Sequence, residues 1–214
     1  MHCIQQASFE KIEEYTLKQT PMKTITRLFI LLFVSSPCFS QHSVLEKRWD
    51  TGPVFDIPES VLYSPEYKLL FVSNISGKSW VKDGKGFISK LSTDGKVIKL
   101  KWVEGISAPK GMAIFGTSLY VSDIDELVEI NIPEGKIINR YPALKAKFLN
   151  DVAVSSGGVV YVSDTQGNSI YLLKNGSLEL WLEGEFLKGV NGLFICGNQL
   201  FAGTSGNILQ INVK

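Results

Sequence analysis

Histidine is almost missing from this chain. Of its 214 residues only His2 and His42 are histidines, and both lie near the amino terminus. A Ser-His-Asp triad, a Cys-His dyad and a His-rich zinc site all need an imidazole held inside a pocket, so none of these mechanisms is open to it. Cysteine is scarce as well, with only Cys3, Cys38 and Cys196. Neither sign of charge dominates: 22 Lys and Arg face 21 Asp and Glu. That balance leaves no electrostatic footprint for nucleic acid or an anionic membrane. No P-loop, dinucleotide fingerprint or metalloprotease helix is present. The apolar run LFILLFV, Leu28–Val34, falls far short of the roughly 20 residues a spanning helix needs.

That run has a different meaning. Lys23 and Arg27 stand ahead of it and the small, polar SSPCFS (Ser35–Ser40) follows, which is the layout of a secretory signal. Residues 22–40 are therefore read as a signal peptide, cleaved ahead of Gln41. Residues 1–21 are read as a non-native N-terminal extension, with translation expected to begin at Met22. The remaining 41–214 are expected to be secreted or periplasmic, with no membrane contact after cleavage. Removing the leader takes Lys11, Lys18, Lys23 and Arg27 with Glu10, Glu13 and Glu14, and leaves 18 basic and 18 acidic residues. It also takes Cys3 and Cys38. Cys196, in the apolar stretch GLFIC, is then expected to be an inert buried thiol without an internal disulfide.

What the chain does contain is one pattern written four times. The copies are PESVLYSPEYKLLFVSN (Pro58–Asn74), PKGMAIFGTSLYVSD (Pro109–Asp123), LNDVAVSSGGVVYVSD (Leu149–Asp164) and VNGLFICGNQLFAGT (Val190–Thr204). Their aromatic residues Phe71, Tyr120, Tyr161 and Phe201 lie 49, 41 and 40 apart, and Trp49, Trp102, Tyr141 and Trp181 repeat at 53, 39 and 40. A fixed period of this size marks a repeat architecture. Within a copy the pattern has period two, bounded by turn residues. In the third copy, Val152–Ser155, Val159–Asp164, Ser169–Leu173 and Leu178–Leu182 read as four strands, the last pair joined by Asn175-Gly176. Asp94-Gly95 and Glu134-Gly135 read as turns of the same kind. The insertion Ser76–Gly86 accounts for the longer first period.

Four antiparallel strands per forty residues is the make-up of a propeller blade. A plain sandwich gives no reason for homologous positions to recur at that interval. The fold class is thus all-β: a β-propeller of about four blades, each of four antiparallel strands. LEKRWDT (Leu45–Thr51) aligns with fourth strands, whereas the last copy reaches only a third, so pairing the two ends would close a four-bladed ring. The blades look like those of larger rings, and a truncated six-bladed propeller is the expectation favoured.

First strands line a propeller's channel. The residues that open them are Glu59, Lys110, Asn150 and Asn191, spaced 51, 40 and 41. A carboxylate and two amide oxygens meeting at one axis suit a hard divalent cation, calcium above all, and Asp151 offers a further carboxylate. The competing reading gives the metal's place to the Lys110 ammonium, paired with Glu59. Asn74, Asp123, Asp164 and Thr204 close second strands and are read as structural turn caps. Trp49, Trp102 and Trp181 are expected between blades. The sequons at Asn74 and Asn175 imply surface turns.

These repeats resemble the gluconolactonase/regucalcin-like superfamily, which is related to paraoxonases and strictosidine synthase-like proteins. IPESVLY with LLFVSNISG, LNDVAVSSGGVVYVSDT and VNGLFICGNQLFAG carry the likeness, over roughly residues 49–214. It implies six blades and a channel cation held by a Glu, one or more Asn and an Asp. Glu59 resembles the first-blade Glu, and Asn150 and Asn191 the later Asn ligands. The family's Glu-Gly-Pro is here Glu59-Ser60-Val61, its Asp ligand belongs to a later blade, and paraoxonase-type histidines are absent.

Two functions follow. In one, calcium on Glu59, Asn150 and Asn191 activates water for lactone or ester hydrolysis, with Asp151 as the catalytic base. In the other, a non-catalytic propeller scaffold binds a small-molecule ligand or a protein partner across its face.

Overall fold

The computed structural model describes residues 46–213, so the leader expected at 1–40 lies outside the described residues. Among the described residues, fifteen strands form four antiparallel sheets in strict chain order. Blade 1 holds β1 (Pro58–Ser64), β2 (Leu69–Asn74), β3 (Gly86–Ser92) and β4 (Val97–Ile106). Blade 2 holds β5 (Pro109–Phe115), β6 (Ser118–Asp123), β7 (Glu126–Asn131) and β8 (Lys136–Pro142). Blade 3 holds β9 (Leu149–Val154), β10 (Val160–Asp164), β11 (Ser169–Lys174) and β12 (Ser177–Glu183). Blade 4 has only β13 (Leu193–Cys196), β14 (Gln199–Gly203) and β15 (Ile208–Asn212), after a single 3-10 turn at Glu185–Leu187. The repeat reading, four successive propeller blades, is the observed architecture of the described residues.

Local chemistry explains the elements. Strand residues alternate between faces, and buried positions fill the spaces between blades. Phe71, Ile88 and Trp102 of blade 1 meet Met112, Leu119 and Ile130 of blade 2. Leu127 meets Leu149, Val152 and Tyr171. Tyr161 and Ile170 meet Leu200 and Ala202. The Asn175-Gly176 turn takes positive φ at both residues, 50° and 76°, as a two-residue hairpin of type I′ demands.

Four expectations need correcting. Residues 46–51 form no strand, and among the described residues no fourth strand joins blade 4. Cys196 is half-buried and disulfide-bonded, not an inert buried thiol; no other cysteine falls within the described residues. Asn74 is fully buried at the end of β2, so its sequon is no surface turn, whereas Asn175 is exposed. Trp102 and Trp181 do pack between blades, but Trp49 remains largely exposed beside blade 1.

Candidate functional site

Hydrogen bonds repeated from blade to blade position the site. Asp123, at the end of β6, accepts from the N–H groups of Ser107 (2.8 Å) and Ala108 (2.7 Å), just ahead of β5. Asp164 does the same for Lys147 (2.9 Å) and Phe148 (2.8 Å), ahead of β9, and also takes Gly167 N–H at 3.0 Å. Asn74 accepts from Asp56 N–H at 3.2 Å. These residues are structural, as expected, but they clamp the segment leading into each first strand as well as a local turn. Thr204 bonds only Asn207.

The serine before each clamp ties neighbouring blades together. Ser122 Oγ donates to the Asn150 carbonyl, and Ser163 Oγ donates to the Asn191 carbonyl at 2.7 Å. Each bond spans 28 residues. Successive first strands therefore run side by side, β1 against β5, β5 against β9 and β9 against β13. Glu59, Lys110 and Asn150 are each the second residue of their strand, and Asn191 precedes β13 by two.

Lys110 is almost fully buried. Its Nζ donates to the Ala108 carbonyl at 3.0 Å and sits 4.3 Å from the centre of the Phe148 ring. Burial lowers its pKa, against the opposing pull of Asp123 and Glu59. Burial raises the Glu59 carboxyl; Lys110 opposes that rise and Asp151 adds to it. Lys110 and Asp151 thus both lie within the field of Glu59. Asp151 has both oxygens engaged: Oδ1 by Val152 N–H at 2.8 Å and Oδ2 by Leu193 N–H at 2.7 Å. Burial raises its pKa and those two bonds pull it down. Gly111 makes this approach feasible, since a Cβ there would fall 2.5 Å from Asp151 Cα and 2.8 Å from the Asn150 carbonyl oxygen. Asp151 therefore braces three blades at their inner edge.

The remaining side chains behave differently. Among the described residues, the Glu59 carboxylate and the Asn150 and Asn191 amides make no hydrogen bond, although Asn150 is 8% exposed. Calcium takes 6–8 oxygens. Here the ring offers one carboxylate and two amides beside a buried ammonium, the main-chain carbonyls of the two Asn already accept from serine, and no group of three His, Cys, Asp or Glu among the described residues is placed to hold a metal. As it stands this donor set does not fit calcium.

A second polar cluster escaped sequence reasoning. Glu129 on β7, nearly buried, accepts from Ser118 Oγ (2.6 Å), Tyr120 OH (3.3 Å), Asn139 Nδ2 (2.8 Å) and Tyr141 OH (2.6 Å). Burial alone would raise its carboxyl, but the four donors together hold it below the ordinary value. The only signal was an acidic residue inside the otherwise apolar stretch LVEI.

The Lys110 geometry gives a stability prediction. Because the folded pKa lies below the ordinary 10.5, the unfolded chain holds more protons between the two values, and stability rises with pH across that interval. Replacing a buried charge by an apolar group of similar shape is often neutral or stabilising. Lys110→Met is expected to be neutral or more stable by up to about 2 kcal/mol at neutral pH, and to lose the alkaline rise. Urea unfolding at a series of pH values checks this; a destabilised variant with the wild-type slope refutes it.

Comparison with known proteins came out on the side of fold only. No protein-family profile matches the chain, and no curated protein matches it. Among solved structures it is similar to the PQQ-bound aldose sugar dehydrogenase of Streptomyces coelicolor, with TM-score 0.53 and 19% identity over 70% of this chain and 56% of that one. It is also similar to a computationally designed protein, at TM-score 0.50 and 13% identity, over 73% of this chain and 46% of that one. Virginiamycin B lyase from Staphylococcus aureus gives 0.49 and 15%, over 72% and 55%. The chain spans about half the length of these structures. Strand order, repeat and structural likeness agree that this is a β-propeller protein.

Proposed function

We propose that this chain is a non-catalytic propeller that binds a small, neutral, hydroxyl-rich ligand at its channel mouth through Glu59, Asn150 and Asn191. One observation carries the reading: these three ring side chains have no hydrogen-bond partner among the described residues, whereas the charged groups beside them, Lys110 and Asp151, are engaged. A carboxylate accepts hydroxyl protons, and two primary amides both donate and accept. The Lys110 ammonium is held by the Ala108 carbonyl beside the Phe148 ring, and Asp151 holds backbone N–H groups instead of standing free as a base.

Calorimetry with gluconolactone, and separately with calcium chloride, tests the reading. The wild-type chain is expected to bind the lactone without turnover and to give no calcium heat. Glu59→Gln, which removes a charged acceptor, is expected to weaken lactone binding about tenfold or more. Calcium-dependent hydrolysis abolished by Glu59→Gln would establish the lactonase reading in its place. No heat with the wild type would remove the ligand site altogether.

A further inference from the structure

The main-chain N–H that follows a ring residue is held by a serine in two blades and by nothing in a third. In blade 1, Ser60 N–H donates to Ser73 Oγ at 3.0 Å, and in blade 3, Asp151 N–H donates to Ser163 Oγ at 2.9 Å. Both serines stand just before the residue that closes the second strand. The corresponding residue of blade 4, ahead of Thr204, is Gly203, which has no hydroxyl. The N–H in question there belongs to Gly192, and it donates to no group among the described residues.

Gly192 follows Asn191, so the unheld nitrogen lies next to a side-chain amide. Asn191 N–H donates to the Gly203 carbonyl at 2.9 Å, and Gly203 N–H donates to the Gly192 carbonyl at 2.9 Å. Two residues thus oppose one, in the manner of a β-bulge. The Asn191 amide has no partner among the described residues, and both residues are exposed. A Cβ on Gly192 would meet nothing within 4 Å, so the pair has room to move. Glycine also puts no Cβ of its own between its nitrogen and the preceding side chain. The other Asn-Gly pair, Asn175-Gly176, is fixed in the β11–β12 hairpin turn at positive φ, between the paired Lys174 and Ser177.

We propose that Asn191 is a site of spontaneous modification, in which the chain itself converts the amide to an acid. The Gly192 nitrogen attacks Asn191 Cγ and gives up its proton to water. The new C–N bond closes a cyclic imide, and Nδ2 leaves as ammonia. Water then adds to either imide carbonyl and breaks that carbon's bond to the ring nitrogen. The product is aspartate at 191, or its isomer with the chain running through the side-chain carbon. No oxidant or cofactor enters. Either product places a negative charge at the channel mouth where a neutral amide stood. For the ligand site proposed above, on which this consequence alone rests, the conversion withdraws an N–H donor and weakens binding as the protein ages.

Fragment-ion mass spectrometry of the full chain, incubated over days at neutral and at mildly alkaline pH, tests the site. Asn191 is expected to lose its amide progressively, and faster at the higher pH, because the attacking nitrogen must shed its proton. Gly203→Ser restores the hydroxyl present in blades 1 and 3, and Gly192→Ala crowds the attacking nitrogen. Each is expected to slow the loss about tenfold or more, since the reaction depends on close approach of the two groups. Neither glycine has positive φ, and a Cβ at 203 would meet only the Gly192 carbonyl oxygen, at 3.8 Å, so both variants keep the fold. An Asn191 amide that persists overturns the proposal, as does an unchanged rate in Gly203→Ser. Calorimetry with gluconolactone checks the consequence: Asn191→Asp is expected to bind about tenfold more weakly than the wild type. Equal binding by the two overturns the effect on the ligand. No heat with the wild type removes the ligand site, and the mass result stands without it.

Discussion

Asp164→Ala is expected to lower the unfolding free energy by about 3–4 kcal/mol, since each buried donor left without an acceptor costs about 1–3 kcal/mol. Asp164 is fully buried and accepts from three N–H groups, those of Lys147, Phe148 and Gly167. Two of these lead directly into β9, which carries Asn150 and Asp151, and Phe148 is the ring under the Lys110 ammonium. Loss of the carboxylate therefore loosens the local turn, the channel strand and the lysine's seat together. Asp164→Asn keeps one acceptor oxygen and should fall between wild type and alanine. Asp123→Ala, with two N–H partners, should cost less than Asp164→Ala, and Thr204→Ala, with only a local partner, least. Urea unfolding of the series measures this order. An Asp164→Ala loss no greater than that of Thr204→Ala would show that the clamps do not organise the strands.

Phe71→Ala is the other substitution with a large expected effect. Phe71 has no exposed surface, and its ring stacks on Trp102 at 5.0 Å between blades 1 and 2. Truncating a buried Phe costs about 3–5 kcal/mol, from lost transfer energy plus the cavity left behind. Whole domains are stable by only about 5–15 kcal/mol. The variant should unfold at markedly lower urea, and Trp102 fluorescence should report the disturbance because the indole loses its neighbour. A loss below about 1 kcal/mol would mean the blades slide together to fill the gap, against the usual close packing of interiors.

Much of the fold was legible because blade formation is a local affair. Period-two strands and Asn-Gly or Asp-Gly turns act over a few residues, and the forty-residue recurrence of Phe71, Tyr120, Tyr161 and Phe201 marks the blade unit directly. The aromatic position even reports its neighbour. Phe71, Tyr120 and Tyr161 each face the next blade, whereas Phe201 faces outward beside exposed Phe194. The alignment that placed Trp49 with fourth-strand residues was sound as a position, since Trp49 lies over the Gly95 turn of blade 1 as Trp102 lies over the Gly135 turn of blade 2, although residues 46–51 form no strand. Asn74 misled as a sequon because Asn-Ile-Ser carries no information on burial, and the side chain is fully enclosed, bonding Ser89 Oγ at 3.0 Å.

The amino-acid sequence by itself determined the repeat, the strand order within each blade and the ring position shared by Glu59, Lys110, Asn150 and Asn191, since all of these follow from spacing. Which of those groups remain unengaged was decided only by the tertiary structure. Asp151 meets Leu193 across 42 residues, and the serine links to the Asn150 and Asn191 carbonyls cross 28. A hydrogen bond between residues so far apart in the chain forms only once neighbouring blades have docked, and no local pattern encodes its partner.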